Sequence, residues 1–173
     1  VKVADAPLFR PEDMVERFRT LLTPEGSCVI CTHVSNVFGY VLPVGEIAGL
    51  CRQRGVPFVL DASQSAGALP VHMAELCADF IAMPGHKGLY GPQGTGLLLC
   101  ARPAEPLLEG GTGSLSALQT MPDFLPDRLE AGTHNVPGAA GLLEGLRFVE
   151  GRGTARILDH ERRLAAQCAR ELA

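Results

Sequence analysis

Lys87 stands in the stretch MPGHKGLYG, residues 83–91, between glycines, beside His86 and directly after an apolar run. A free amine near its ordinary pKa is protonated and a poor nucleophile. Desolvation or a neighbouring cation lowers that pKa and lets an imine form with a carbonyl. The setting of Lys87 fits an amine of that kind. Taken alone, the segment also fits an exposed loop lysine. Asp61 closes a second apolar run, VPFVL at 56–60, and an unpaired carboxylate there is costly to bury.

A buried cation would relieve Asp61, and the protonated ring nitrogen of pyridoxal phosphate is such a cation. Gln64, three residues on, has an N–H to offer the phenolate oxygen of the same ring. The plainer readings are a turn former for Asp61 and an exposed turn residue for Gln64. Two glycine-rich stretches carry less. Residues 91–96 (GPQGTG) lack the Gly-Lys-Ser/Thr ending of a nucleotide loop and lead into a strand, so no helix N-terminus is offered to a phosphate. Residues 110–114 (GGTGS) fit either a phosphate-contacting loop or a flexible connection.

Elements to position these groups are legible around them. Residues 11–22 predict an amphipathic helix, with proline and acids in the first turn and Met14, Phe18, Leu21 and Leu22 on one face. A turn is expected at 23–26 and a strand at 27–33. A second helix is expected at 43–54, with Pro43 at its first position and Gly55 as its stop. Further strands are expected at 56–60, 79–83 and 95–100, with a helical turn at 72–76. Residues 101–126 read as loop, and 137–150 and 154–173 as helices. Short runs apolar on both faces, alternating with helices, predict an α/β fold with a mostly parallel mixed sheet flanked by helices. In such sheets functional groups gather beyond the carboxyl ends of the strands. The polar clusters at 32–36, 61–65 and 85–87 each follow a strand.

The chain has 173 residues, 46% of them hydrophobic, and a formal net charge of -4. That fits one domain with a sizeable core. It gives no basic field for nucleic acid, and no uncharged run long enough for a membrane span. Cys28 and Cys31 form a C-x-x-C, but on a strand they would face opposite sides, and no partner pair follows at zinc-finger spacing. The six cysteines are read as small apolar residues of a reduced, cytoplasmic protein. Residues 1–5 read as the end of a strand and residues 162–173 as an uncapped helix, so both ends are expected to be cut edges of a larger fold.

Together, several stretches resemble the large-domain core of class V, fold-type I pyridoxal-phosphate enzymes, a group of cysteine desulfurases, selenocysteine lyases and related aminotransferases. They are 33–39 (HVSNVFG), 43–47 (PVGEI), 61–67 (DASQSAG), 78–80 (ADF), 85–96 (GHKGLYGPQGTG) and 128–135 (RLEAGTHN), in order across residues 1–150. The resemblance implies a large-domain core at 1–150 and, at 151–173, the start of a helix leading to a small domain. It implies that Lys87 binds the cofactor aldehyde and shuttles protons, Asp61 holds the ring nitrogen and Gln64 the phenolate oxygen. His86 would contact the phosphate, and Asn36 would lie near the phenolate oxygen and the substrate carboxylate. Thr133 would reach the phosphate of a neighbouring subunit in a homodimer with shared active sites. The strand at 95–100 would run antiparallel.

One position departs from the family pattern. A serine usually stands three before the lysine and binds phosphate; here it is Pro84, with neither hydroxyl nor N–H. That implies weaker phosphate affinity, or substitution by Thr112 or Ser114. None of the six cysteines matches the sulfur-accepting cysteine of desulfurases. The expected activity is that of an enzyme acting on an amino-acid substrate, as a desulfurase, lyase or aminotransferase. The alternative is a non-catalytic piece of the same fold acting in assembly.

Overall fold

The computed structural model describes residues 1–7, 9–23, 28–115 and 117–172. Among them, the elements run α1 (Pro11–Leu21), β1 (Val29–Thr32), α2 (Val44–Gln53), β2 (Phe58–Asp61), β3 (Phe80–Pro84), β4 (Gly96–Cys100), a 3-10 turn (Asp127–Leu129), α3 (Val136–Arg152) and α4 (Thr154–Leu172). The expected turn at 23–26 lies, from Pro24 on, outside the described residues, as does Ser27.

The strands form one sheet in the order β1-β2-β3-β4. β1, β2 and β3 are parallel and β4 is antiparallel to β3, as the sequence predicts. Side chains alternate across a sheet, and the two faces differ. Cys31, Phe58, Leu60, Ile81 and Met83 are buried, in one core with Met14 and Val15 of α1 and Val44, Ile47, Ala48 and Cys51 of α2. On the other face Ile30 is 70% exposed and Leu98 is 52% exposed.

Two local devices hold the helices. Gly55 takes φ +67, a left-handed conformation that glycine adopts without steric cost, and ends α2. The Arg54 guanidinium just before it donates to the carbonyls of Arg19 and Leu22, closing carbonyls at the end of α1 that lack helical partners. Pro43 is the cap of α2 rather than its first residue.

A further expectation fails. Residues 1–5 are not in a strand; a strand needs a neighbour to bond its backbone, and none flanks them among the described residues. The helices α3 and α4 meet at Gly153, which has φ +80. Leu142 of α3 joins the main core, whereas α4 buries none of its residues. No described helix is long and apolar enough to cross a membrane.

Candidate active site

Three loops leave the carboxyl ends of β1, β2 and β3, and each carries polar groups singled out from the sequence. The β2 loop begins with Asp61, which is half-buried. Its backbone is fixed on both sides: His33 N–H donates to the Asp61 carbonyl at 2.9 Å, and Ala62 N–H donates to the Ala82 carbonyl at 2.9 Å. Its carboxylate Oδ1 accepts from Ser63 N–H at 2.9 Å, a turn in which the side chain bonds backbone two residues on. Asp61 therefore is the turn former its plainer reading expects. Among the described residues it forms no ion pair, which leaves a carboxylate without a cation at the end of an interior strand.

The β1 and β2 loops are cross-linked. Gln64 Nε2 donates to Asn36 Oδ1 at 2.6 Å, so the structure brings these two site residues together at the surface. Beneath them His33 Nδ1 and Ser65 Oγ are 2.9 Å apart. His33 is 6% exposed and Ser65 fully buried. Burial pushes the His33 imidazole below its ordinary pKa, because the charged ring loses its water. His33 and Ser65 lie inside the resembling stretches, yet nothing in the sequence marks them as a pair; the only hint is that Ser65 directly follows Gln64 and His33 stands three residues before Asn36.

The β3 loop carries His86 and Lys87, both exposed. The apolar strand thus delivers the lysine without enclosing it. Tyr90 N–H donates to the Lys87 carbonyl at 2.9 Å and Gly91 N–H to the Gly85 carbonyl at 2.8 Å, while Gly85 N–H reaches the Thr95 carbonyl at 2.8 Å. Its glycines serve backbone packing rather than ligand approach alone. A Cβ on Gly67 would lie 1.8 Å from the Gly88 carbonyl oxygen, and one on Gly88 would lie 2.2 Å from the Ala66 carbonyl oxygen. The lysine turn rests directly on the end of the aspartate turn. From the far side, α3 presses on it through Leu142 and Gly145: a Cβ on Gly145 would come within 2.3 Å of the Leu89 carbonyl oxygen.

Pro84 is the last residue of β3 and pairs with Gly96. The Gly85-to-Thr95 bond makes this a pair without direct hydrogen bonds, so an N–H at 84 would point away from β4. β2 has ended by then, with Asp61 opposite Ala82, and the missing donor has no strand to satisfy. The two hydroxyls considered as substitutes bond within their own loop. Thr112 Oγ1 accepts from Leu115 N–H at 3.1 Å and lies 3.4 Å from Ser114 Oγ.

Thr133 is not in the cross-linked group. It is exposed and lines a cleft of about 350 Å³ with Leu107, Leu108 and His134. Arg128, in the same motif, donates to Asp123, Glu105 and the Ala104 carbonyl, and so pins the loop after β4. Cys28 is exposed and Cys31 buried, as opposite facing requires. Burial, with Cys51 and Asp61 as lesser causes, pushes the Cys31 thiol up to about 12.

A mostly parallel sheet with a carboxylate, an amide pair and a lysine on adjoining strand-end loops defines a class, and sequence comparison agrees on which. Residues 9–173 match the model of the aminotransferase class-V family, and the chain belongs to that family. It is 38% identical over 92% of its length to a probable cysteine desulfurase of Mycolicibacterium paratuberculosis, covering 24% of that protein. It is 39% identical over 79% of its length to a probable cysteine desulfurase of Pyrococcus abyssi, covering 35% of that protein. Among solved structures, the apo cysteine desulfurase of Thermococcus onnurineus NA1 is similar with a TM-score of 0.79 at 34% identity, covering 99% of this chain and 43% of that one. The cysteine desulfurase CsdA of Escherichia coli is similar with a TM-score of 0.81 at 27% identity, over 96% of this chain and 43% of that one. The chain thus spans roughly a quarter to two-fifths of the length of such relatives.

Proposed function

We propose that this chain is the cofactor-bearing part of a pyridoxal-phosphate enzyme that acts on an amino acid, with cysteine desulfuration as its reaction. The observation that carries the reading is the backbone contact of Gly67 with Gly88, which locks the lysine turn onto the turn holding Asp61 and Gln64. The donor set fits the cofactor group by group. An unpaired carboxylate suits a cationic ring nitrogen, an amide N–H suits a phenolate oxygen, an imidazole suits a phosphate, and a primary amine suits an aldehyde. When bound, the cofactor supplies an electron sink that stabilises negative charge at the substrate Cα.

The residues of this chain have distinct tasks under that reading. Lys87 binds the cofactor aldehyde through its Nζ and afterwards moves a proton at the substrate. Asp61 keeps a proton on the ring nitrogen. Gln64, with Asn36 beside it, donates toward the phenolate oxygen, and Asn36 also meets the substrate carboxylate. His86 supports the phosphate where Pro84 has no hydroxyl. Thr133 serves a second subunit of a homodimer, and residues 151–173 lead to a small domain.

The test is sulfide release from cysteine by the full-length protein, with cofactor and a thiol reductant supplied. Release that disappears in Lys87→Ala is expected; its absence in the wild type with saturating cofactor would contradict desulfuration. One observation favours the assembly reading for the segment in isolation, namely the exposed Ile30 and Leu98 on one sheet face. Turnover by residues 1–173 alone would count against it.

A further inference from the structure

We propose that the buried His33–Ser65 pair is the positioning device of the site: it holds the Asp61–Gln64 turn in place when Gln64 turns toward cofactor. The inference rests on the function proposed above. It begins from two side-chain bonds that join the same two loops in parallel. The outer one, Gln64 to Asn36, is exposed, so water competes for it. It uses one of the two N–H groups of the Gln64 amide, so turning that amide toward a ligand loads or breaks it. The inner one, His33 to Ser65, is closed to water and has no such second duty.

The pair sits where it can control both ends of the turn. The His33 backbone N–H bonds the Asp61 carbonyl, at the start. The His33 ring bonds Ser65, which follows Gln64 directly, at the end. Ser65 N–H in turn reaches back to the Ala62 carbonyl at 3.1 Å. One residue of β1's exit therefore spans the whole segment from ring-nitrogen ligand to phenolate ligand. The next residues, Ala66 and Gly67, support the lysine turn, so a slip at Ser65 would be felt at Lys87 as well.

The chemistry of the pair suits a fixed strut. A neutral imidazole has one donor and one acceptor nitrogen, and a hydroxyl can answer either. Ser65 Oγ also lies 3.4 Å from the Ala62 carbonyl, which can take its proton when His33 donates. Lowering of the ring pKa by burial keeps it in the neutral form that this arrangement uses. Neither side chain touches the ring or the substrate under the proposal; both act through Asp61 and Gln64.

The experiment uses the full-length protein, stripped of cofactor and titrated with pyridoxal phosphate while its visible absorption band is followed. Ser65→Ala and His33→Phe are expected to weaken binding roughly tenfold or more and to displace the band. His33→Asn, whose amide can replace Nδ1, is expected to keep affinity within about threefold of wild type. Melting of the stripped protein separates positioning from general damage: the rescue by His33→Asn has to appear in the band and the affinity. Asp61→Ala and Lys87→Ala serve as references. If they lose the band while Ser65→Ala and His33→Phe bind as wild type, or lose only melting temperature, this inference fails and the functional reading stands. If Asp61→Ala and Lys87→Ala leave binding and band unchanged, the functional reading itself fails.

Discussion

The lysine turn and the aspartate turn adjoin one another, yet they are held in different ways. The lysine turn is held by backbone: its glycines press against Ala66, Gly67 and Thr95, and α3 closes the other side. The aspartate turn adds side-chain bonds to its backbone ones, through Asp61 to Ser63 and His33 to Ser65, with Gln64 to Asn36 outside. Backbone contacts of this kind tolerate no added atom. Side-chain bonds can be exchanged one at a time. The contrast teaches where the site is rigid and where it has room to change partners on binding.

Substitutions can break the two turns separately. The largest effect is expected from Gly67→Ala. The new Cβ meets the Gly88 carbonyl oxygen at 1.8 Å, and φ is +89. A loss of roughly 3 kcal/mol or more is expected in denaturant unfolding, together with loss of cofactor binding. Next comes the floor beneath both turns. Burial holds the Cys31 thiol up to about 12 and the Cys51 thiol up to about 11, from ordinary values of 9.0. These thiols ionise more readily unfolded than folded, so their contribution is intact below pH 9 and is lost as pH rises toward 11 and 12. Denaturation followed against pH should show stability falling across that window, and Cys31→Ala should flatten the fall.

Smaller effects sharpen the aspartate side. Asp61→Asn keeps an oxygen for the Ser63 N–H and removes only the charge. Stability should change by less than about 1 kcal/mol, while cofactor affinity falls roughly tenfold or more in an absorption titration. Gln64→Ala removes an exposed bond, and its cost in melting experiments should be about 0.5 kcal/mol.

The sequence shows the layout well and the packing poorly. Short apolar runs, each ending in polar residues, announce a parallel sheet and the ends where function gathers. The motifs around Lys87 and Asp61 carry their family by order. The strand at 95–100 is antiparallel, as the resemblance implies, and differs from the expected bounds by one residue. What stays hidden depends on contacts distant in the chain. His33 and Ser65 are 32 residues apart, and a polar pair of that separation has no periodic signature. Gly67 and Gly88 look like ordinary loop glycines until their backbones are seen to touch. Residues 1–5 mislead for the opposite reason: their β-prone composition suggests a strand, but a strand exists only with a neighbour.

The central claim is that Lys87 is the amine that holds the cofactor. It is tested most directly by reducing the cofactor-loaded full-length protein with borohydride and mapping the modified peptide by mass spectrometry. A pyridoxyl group on Lys87, and its absence from Lys87→Ala, is the predicted result. A folded, cofactor-saturated protein with Lys87 unmodified, or with the group on another lysine, would contradict the account.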